Sequence, residues 1–370
     1  MEKLVHIPAD TVRKQIVGIL TGWGLDPEAI QTTATVMIET DLSGVDSHGV
    51  SMLMDYDNSR IKGKLNVKAS PRIVRQNAVT ALIDADAGLG HPAAALGMRT
   101  AIEKAKALGV AVVTVRNSHH FGAAGYYANL AAQAGLIGMV TSATRSINTV
   151  PTRGRDAVLG TNPIAFAAPA KRNRPFLLDM ATATVAANKV RVYELNGKPV
   201  PAGWVLDGAG VPITEPTHAV DTLFKRKPNL GGGLAPVGGT EDTGGYKGYG
   251  LGMLAHILGG PLSGSSFSPI RVKTQKPGDP DNLGHFFLAI DPRQFREEGE
   301  FEEDLDMAID FLHAVTPIDP QKPVLVPGDP EAMKRADRLK NGIPMPLTLV
   351  QKLEEVAQRA ETAFLFAQYR

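Results

Sequence analysis

Three histidines lie in polar, glycine-containing segments where an imidazole could take part in acid–base chemistry. His48 lies in the segment Asp46-Ser-His-Gly-Val50, and His119 and His120 lie in the segment Asn117-Ser-His-His-Phe-Gly122. Because an imidazole titrates near neutral pH, it can donate a proton to a carbonyl oxygen or take one from an alcohol. The two segments therefore favour proton transfer to or from a small ligand.

Two other interpretations of these histidines stay open on the residues alone. A histidine in a loop can simply hydrogen-bond to backbone groups, as most polar side chains do. The adjacent pair His119 and His120 could also bind a metal ion. Neighbouring side chains rarely point the same way, however, and no carboxylate partner stands near the pair in the sequence. We therefore expect no metal site.

Three further segments place polar groups where strands or helices are expected to begin or end. Gly160-Thr-Asn-Pro-Ile-Ala165 and Leu178-Asp-Met-Ala-Thr182 fit either a ligand-binding edge or ordinary turns. Gly244-Gly-Tyr-Lys-Gly-Tyr-Gly-Leu251 sets a lysine among glycines, which suits a phosphate and equally a plain glycine-rich loop. The sequence carries no signature of Rossmann dinucleotide binding, P-loops, hydrolase nucleophile elbows or zinc proteases.

The composition narrows the possible functions. The 370 residues carry 39 Lys and Arg against 38 Asp and Glu, with no long run of one sign, which argues against binding to nucleic acid or to a membrane surface. The absence of cysteine excludes disulfides, thiolate nucleophiles and Cys-ligated metal centres. No apolar run reaches membrane-spanning length, so we expect a cytoplasmic protein with a small neutral or anionic ligand.

The histidine pair is expected between a strand and a helix. Residues 110–115 are apolar and rich in β-branched side chains, as in a buried strand. Residues 123–134 are small or helix-favouring and stop before Gly135, a natural left-handed cap. Residues 117–122 would then form a strand-to-helix loop, a position at which ligands commonly bind in α/β sheets.

Similar patterns predict the other elements. Asp26, Pro27 and Glu28 are typical of a helix start, and Gly44 is expected to end that helix. Further helices are predicted at residues 50–62, 91–108, 185–195, 248–258, 301–315, 330–339 and 347–364. Strands are predicted at residues 72–74, 79–83, 137–141, 164–167, 176–178, 204–206 and 286–290. Residues 224–245 are rich in Gly and Pro and are expected to form a long loop.

These elements predict a protein of the α/β (α+β) class with helical ends and a strand-rich middle. We expect one helical domain built from both termini, residues 1–70 and 293–370. An α/β domain, residues 71–292, would be inserted between them and would carry most of the candidate ligand-binding segments.

Taken together and in order, these segments resemble the type-2 malate/L-lactate dehydrogenase family. Its relatives include ureidoglycolate dehydrogenase, sulfolactate dehydrogenase, diketogulonate reductase and piperideine-carboxylate reductase. The matching segments span almost the whole chain and are Asp46-Ser-His-Gly-Val50, Asn117-Ser-His-His-Phe-Gly122, Leu159-Gly-Thr-Asn-Pro-Ile-Ala-Phe166, Leu178-Asp-Met-Ala-Thr182, Lys247-Gly-Tyr-Gly-Leu251, Gly284-His-Phe-Phe-Leu-Ala-Ile-Asp-Pro292 and Val326-Pro-Gly-Asp-Pro-Glu331.

The resemblance implies an NAD(P)-dependent oxidoreductase. Hydride would move between nicotinamide and C2 of a small 2-hydroxy or 2-oxo acid, or alternatively to the C=N bond of an imino acid. The resemblance also implies a non-Rossmann α/β domain with a mixed sheet, which agrees with the missing dinucleotide signature. It further implies a homodimer with active sites near the subunit interface.

The resemblance assigns expected roles to individual residues. Ser47 and His48 match the proton-transfer pair of the family, and we expect His48 to donate the proton. His120 matches a histidine that acts as acid or base in some relatives and contacts the cofactor in others, and Thr161 matches a substrate contact. The positions that match cofactor contacts are His120, Phe121, Gly122, Asp179, Met180, Ala181, Tyr246, Lys247, Gly328 and Asp329.

One position departs from the family pattern. The family usually has an arginine four residues after the first histidine, where it pairs with the substrate carboxylate, and this chain has Met52 there. A thioether cannot make a bidentate charged contact. Either another arginine, such as Arg60, Arg145 or Arg153, supplies the contact, with Arg145 chosen as the substrate-binding candidate, or the substrate has an altered or bulkier end near Met52.

Two functions from other classes stay open. A non-catalytic small-molecule binder could keep the same fold, although such a protein has no need of a titrating pair such as Ser47 and His48. Metal-dependent lyase or hydrolase chemistry through His119 and His120 would require a bound metal ion.

The sequence leaves NAD and NADP open, with NAD slightly favoured. The choice depends on whether a cation reaches the 2′-phosphate of the cofactor. The cations that could do so lie in predicted loops and are Arg116, Arg145, Lys225 and Arg226.

Overall fold

The computed structural model describes residues 4–225, 230–267 and 273–370. In these ranges the α-helices are α1 (Ala9–Gly22), α2 (Pro27–Leu42), α3 (Leu53–Ile61), α4 (Gly90–Leu108), α5 (Ala124–Gln133), α6 (Ala187–Leu195), α7 (Pro216–Val220), α8 (Gly245–Gly259), α9 (Glu300–His313), α10 (Asp329–Asn341) and α11 (Leu347–Arg359). The strands are β1 (Leu4–Ile7), β2 (Arg72–Gln76), β3 (Thr80–Asp84), β4 (Val110–Ser118), β5 (Ile137–Ala143), β6 (Ile164–Ala168), β7 (Phe176–Met180), β8 (Val205–Leu206), β9 (Gly233–Leu234), β10 (Leu283–Ile290) and β11 (Ile343–Pro346).

A seven-stranded mixed sheet with the order β2-β3-β4-β10-β5-β6-β7 forms the centre of the fold. Strands β3 and β4 are parallel, and every other pair of neighbours is antiparallel. The predicted α/β class with a mixed sheet is therefore confirmed. The antiparallel hairpin of β2 and β3 and the helix α4 between Gly90 and Leu108 also match the predictions.

The strand directions bring the segments with candidate site residues to one edge of this sheet. Because β10 lies antiparallel between β4 and β5, the latter two strands run the same way and end at the same edge. Strand β7 also ends there, whereas β6 and β10 begin there. Side chains that follow β4, β5 and β7, or precede β6 and β10, are thus neighbours in space.

Both ends of the chain contribute to one hydrophobic core. Buried residues of α1, such as Ile16 and Leu20, belong to the same cluster as Val350 and Leu353 of α11. Full burial of one such side chain contributes about 1.5–3 kcal/mol to stability. Separate clusters form under the mixed sheet and around β8 and β9. The proposed division into residues 1–70 with 293–370 and residues 71–292 stays a prediction.

The strand before the histidine pair is longer than predicted. Asn117 and Ser118 belong to β4, because the partner strand β10 continues the ladder as far as the pair Leu283 and Ser118. The register shifts just before this pair, and Asn117 has a φ of 52° there. The loop proper therefore contains only the residues from His119 to Ala123.

Two other predictions need correction, and one pair of strands was missed. The segment 224–245 is not all loop, because β9 pairs with β8 and Leu234 is fully buried there; residues 226–229 lie outside the described ranges. The antiparallel pair β1 and β11 was not predicted. Helix α11 ends at Arg359 and not at residue 364, because the chain turns at Glu361, which has a φ of 52°.

No helix in the described ranges is both long and apolar enough to span a lipid bilayer.

Candidate active site

A cavity of about 1100 Å³ lies along the sheet edge, between the sheet and helices α2, α3, α5 and α10. Most of the predicted site residues line it. They are Ser47, His48, Met52, His120, Phe121, Gly122, Arg145, Thr161, Asp179, Ala181 and Gly328. Segments that are far apart in the sequence therefore meet around one volume.

The cavity lining lacks four of the predicted cofactor contacts. Met180 is the last residue of β7, between two residues that do line the cavity. Tyr246 and Lys247 lie in the first turn of α8 and are exposed. Asp329 begins α10, and its carboxylate accepts the Val326 N–H at 2.9 Å.

The turn that carries His48 joins α2 to a short 3₁₀ turn (Val50–Met52). The backbone N–H of His48 donates to the carbonyl oxygen of Val45 at 3.0 Å, and the Nδ1 atom of the His48 ring lies 2.7 Å from Ser47 Oγ. Burial lowers the pKa of His48 below its ordinary value. The ring therefore changes protonation on the acid side of neutrality while facing the cavity.

A buried carboxyl group of α2 holds the far end of this turn. Asp41 Oδ2 accepts the Val50 N–H at 2.9 Å, and a Cβ atom at Gly49 would lie only 1.8 Å from Oδ1. Glycine is therefore required between the histidine and Val50, because the backbone passes directly over the carboxyl group. Burial raises the pKa of Asp41 to about 8.

His120 faces the cavity from the loop between β4 and α5, with its ring centroid 5.2 Å from that of His48. Its Nδ1 lies 2.7 Å from the Tyr56 hydroxyl and 3.3 Å from the Gly122 nitrogen. Because a backbone N–H can only donate, we assign Nδ1 as an acceptor, which places the proton of the neutral ring on Nε2. Burial, with the nearby histidines and Arg145, holds the pKa of His120 well below its ordinary value.

His285 of β10 contacts the end of β4 and the start of the loop that carries His120. It was not identified from the sequence as a site residue. Its Nε2 lies 3.2 Å from the His119 carbonyl oxygen and 3.0 Å from Ser118 Oγ, and its Nδ1 lies 2.9 Å from Ser142 Oγ. The ring stacks on Phe121 at 4.2 Å between centroids. Burial lowers the pKa of His285 to about 3, so the ring is neutral. A lone histidine in an otherwise apolar strand was the available sequence signal.

The other member of the adjacent histidine pair, His119, also lines the cavity, but its ring meets different partners. His119 Nε2 lies 2.9 Å from the Lys64 carbonyl oxygen, and Nδ1 lies 3.3 Å from an Asp281 carboxylate oxygen. The same oxygen accepts a bond from Arg145 Nη1 at 3.1 Å. A carboxylate thus stands beside His119, although none was apparent in the sequence. In the described ranges no group of three or more His, Cys, Asp or Glu side chains is arranged to hold a metal ion.

Two further residues of the site were missed. Tyr56, whose hydroxyl contacts His120, is buried on α3 and was not identified from the sequence as a site residue. His91 is fully buried near the start of α4, with its ring 5.6 Å from the Tyr56 ring. Burial lowers the pKa of His91 to about 3. No motif marks either residue.

Of the arginines considered in place of the missing family arginine, Arg145 lines the cavity together with Met52. Arg60 bonds to an aspartate on its own helix at 2.8 Å, and Arg153 pairs with a glutamate at 2.7 Å. Neither of these two lines the cavity. The structure therefore brings one guanidinium group to the histidines and leaves the other two elsewhere.

The remaining cavity wall consists of parts of α2, α5, β7 and α10 and has a mixed polar character. Arg335 makes two bonds to Glu39, at 3.0 and 3.1 Å, and Asp179 accepts the Gly125 N–H at the start of α5 at 2.7 Å. The volume exceeds the roughly 300–1000 Å³ of ordinary ligand pockets. The residues present thus fit an elongated cofactor rich in hydroxyl and amide groups, with a small acid beside it.

Comparisons with known proteins show which family the chain resembles over its length. The family model for malate/L-lactate dehydrogenase matches residues 7–354. Malate dehydrogenase from Pyrococcus horikoshii is 38% identical over 97% of this chain and 96% of its own length. Malate/(S)-sulfolactate dehydrogenase from Methanothermus fervidus is 34% identical over 95% of this chain and 97% of its own length.

The solved structure of malate dehydrogenase from Entamoeba histolytica superposes with a TM-score of 0.89 at 31% identity, covering 98% of this chain and 99% of that one. The family model and the relatives thus span nearly the whole chain, including all the segments around the cavity. The curated relatives carry the names of malate, sulfolactate and lactate dehydrogenases, which supports a hydroxyacid dehydrogenase, and the family implies a nicotinamide cofactor. The chain therefore belongs to the malate/L-lactate dehydrogenase family.

Proposed function

We propose that the protein transfers hydride between NAD and C2 of a 2-hydroxy or 2-oxo acid, with His48 as the proton donor for reduction of the ketone. The observation that carries this proposal is the convergence of two histidine rings, 5.2 Å apart, with Arg145 and Thr161 on one cavity. A general acid must reach the substrate oxygen, and an anchor must hold the carboxylate.

The two histidines differ in environment, and this difference suggests separate roles. The pKa of His48 is lowered by burial alone, whereas His120 is also opposed by neighbouring histidines and Arg145. His48 is thus the group more readily protonated, and Ser47 orients its ring through Nδ1. Neutral His120 offers its Nε2–H to the substrate oxygen as a hydrogen-bond donor. In enzymes, two titratable groups whose environments give them different pKa values commonly take different roles in the reaction.

When bound, the nicotinamide supplies the hydride to C2 or accepts it from there. In reduction, His48 gives its proton to the substrate oxygen and returns to the neutral form. In oxidation, neutral His48 takes the proton of the hydroxyl group. Positioned proton transfer of this kind typically contributes about a hundred- to ten-thousandfold in rate.

Met52 suggests a substrate without a second charged group. Arg145, held at 3.1 Å by Asp281, is available to anchor the carboxylate next to C2. A thioether in place of a guanidinium cannot pair with a carboxylate or sulfonate at the other end of the substrate. We therefore propose 2-oxo acids with an uncharged, bulkier side chain over the oxaloacetate or sulfopyruvate pair.

We propose NAD over NADP as the cofactor. Arg116 and Lys225, which could have met a 2′-phosphate, pair with aspartates at 3.4 and 2.7 Å, and Arg226 lies outside the described residues. On the cavity wall, the carboxylate of Glu39 accepts two hydrogen bonds from Arg335. A carboxylate at this place suits a ribose hydroxyl and opposes a phosphate.

We also propose a homodimer that uses the outer face of α8. Lys247 is the only Asp, Glu, Lys or Arg residue between Gly245 and Gly259, yet Leu254 and Ile257 are 40% and 51% exposed. An all-round apolar helix is normally covered. A second copy would cover this face and bring Tyr246 and Lys247, which lie outside their own cavity, near a neighbouring site. A soluble cytoplasmic location stays a prediction.

The test is a substrate panel with NADH and NADPH, followed by cofactor absorbance. It includes 2-oxo acids with apolar side chains, oxaloacetate, sulfopyruvate and a cyclic imino acid. We expect NADH-dependent reduction of the apolar 2-oxo acids and a loss of at least a hundredfold in His48→Gln. Full turnover in the His48→Gln, His120→Gln double variant would contradict the mechanism, and turnover of the imino acid alone would favour C=N reduction.

A further inference from the structure

Arg338 ties the turn that carries His48 to the distant helix α10. The side chain is 7% exposed. Its Nη1 donates to the Asp41 carbonyl oxygen at 2.5 Å and to Asp46 Oδ1, and its Nη2 donates to Asp46 Oδ2 at 3.0 Å. One guanidinium group thus bonds to the end of α2 and to the first residue of the turn, in the fork-to-fork geometry that fixes a carboxylate in two directions.

The other end of the same turn is held independently. The Asp41 carboxyl group accepts the Val50 N–H at 2.9 Å, and Ser51 Oγ donates to the Asp46 carbonyl at 2.6 Å. The segment from Asp46 to Val50 is therefore held at both of its ends. Among the hydrogen bonds to this turn in the described ranges, those from Arg338 come from a distant part of the chain.

The catalytic side chains themselves have little other support. His48 contacts Ser47 through Nδ1 and Val45 through its backbone N–H. Arg338 does not line the cavity, although its neighbours Ala336 and Leu339 on α10 do. One helix thus forms cavity wall with one face and holds the catalytic turn with another.

We propose that Arg338 is a positioning residue that sets the placement of Ser47 and His48 through Asp46 and the end of α2. This proposal rests on the proposed function, because the reaction needs His48 at the substrate oxygen. A displacement of about 1 Å at a reacting group can reduce the rate about a hundredfold. Loss of the clamp should therefore reduce turnover and leave cofactor binding intact.

The test compares Arg338→Met with Arg338→Lys in the full-length protein. We expect kcat to fall about 10- to 100-fold in Arg338→Met, with the dissociation constant for NADH within about twofold of wild type. Arg338→Lys keeps one charged contact to Asp46 and loses the fork, so its kcat should lie between the two. If Arg338 had only a structural role, Arg338→Met would reduce the amount of folded protein. It would not lower the kcat of the folded protein while leaving its affinity for NADH unchanged.

Arg293→Met is the matched control. Arg293 likewise makes two bonds to one aspartate carboxylate, that of Asp291, at 2.7 and 2.9 Å, and does not line the cavity. It should lose comparable stability and keep wild-type kcat. Equal kcat losses in Arg293→Met and Arg338→Met would overturn the proposal.

Hydrogen exchange supplies a readout that needs no activity. Backbone amides of residues 46–50 should exchange faster in Arg338→Met than in wild type or Arg293→Met. Unchanged exchange in this segment would overturn the proposal even if kcat falls. If the wild-type protein reduces none of the acids tested, the proposed function is wrong, while the exchange experiment still decides whether Arg338 holds the turn.

Discussion

Replacing His285 by glutamine should weaken the acid sensitivity of the fold. His285 is fully buried, and its pKa is lowered to about 3 by burial. In the unfolded chain a histidine has a pKa of about 6.5. Between pH 6.5 and 3 the unfolded state therefore binds a proton at this residue that the folded state does not, so stability is lost as the pH falls through this window.

The size of the effect follows from proton linkage. Between pH 7.5 and 5.5 one such histidine lowers the free energy of unfolding by about 1.4 kcal/mol. The figure depends on the unfolded pKa and hardly changes for any folded pKa below about 4.5. Asp41 acts in the opposite sense, because its pKa, raised to about 8, lets the folded state take up a proton in the same window. The change in the free energy of unfolding of the wild type between pH 7.5 and 5.5 is thus a sum of opposing contributions. The contribution of one residue is obtained by comparing this change in the wild type with the change in the variant.

The assay is reversible urea unfolding at pH 7.5 and 5.5, at a fixed protein concentration. On going to pH 5.5, wild type should lose about 1.4 kcal/mol more than His285→Gln, whatever the stability of the variant at pH 7.5. Asp41→Asn should change in the opposite direction from His285→Gln and lose about 2.5 kcal/mol more than wild type on going to pH 5.5. Identical pH dependence in wild type and His285→Gln would show that His285 is not neutral in the fold and would refute the reasoning.

Three further predictions concern the reaction itself. Reduction of a 2-oxo acid should slow as the pH rises through the lowered pKa of His48, and oxidation should speed up, as measured by kcat/KM against pH; a flat profile would contradict the role of His48. Gly49→Ala places a methyl group against the Asp41 carboxyl and should cost about 1–3 kcal/mol in stability with a large drop in kcat, measured by urea unfolding and initial rates. Tyr56→Phe removes the hydroxyl that bonds to His120 and should lower kcat about 2- to 10-fold with KM little changed, whereas a changed KM alone would assign Tyr56 to binding.

Local patterns were sufficient for elements whose signals are contiguous. Helix α4 begins at Gly90 and ends before Gly109, which has a φ of 88°, as its sequence predicted. The pair β1 and β11 escaped prediction because Val5 gains its partner Met345 from the other end of the chain. The four residues of β1 are too few to show a strand pattern in the sequence. They form a strand because they pair with a distant segment of the chain.

The same distinction applies to the candidate site. Residues in motifs, such as His48 and His120, could be selected because polar groups stood out in loops between apolar segments. Arg338 and His285 could not, since each acts on a segment far away in the sequence, and no local pattern marks Asp41 as the partner of the Val50 N–H. The groups that would do chemistry were therefore predictable, while the groups that place them required the three-dimensional contacts.

The adjacent histidines His119 and His120 show how one short segment can carry both a residue proposed to contact the substrate and a residue that positions other groups. The two rings make hydrogen bonds and close contacts to different partners. His120 meets Tyr56 and the cavity, whereas His119 meets Asp281, which in turn bonds to Arg145. His119 thus contacts the proposed carboxylate anchor indirectly, through Asp281. The proposed hydrogen-bond donor and a partner of the anchor's carboxylate are therefore carried by adjacent residues, whose backbone His285 contacts at the His119 carbonyl oxygen.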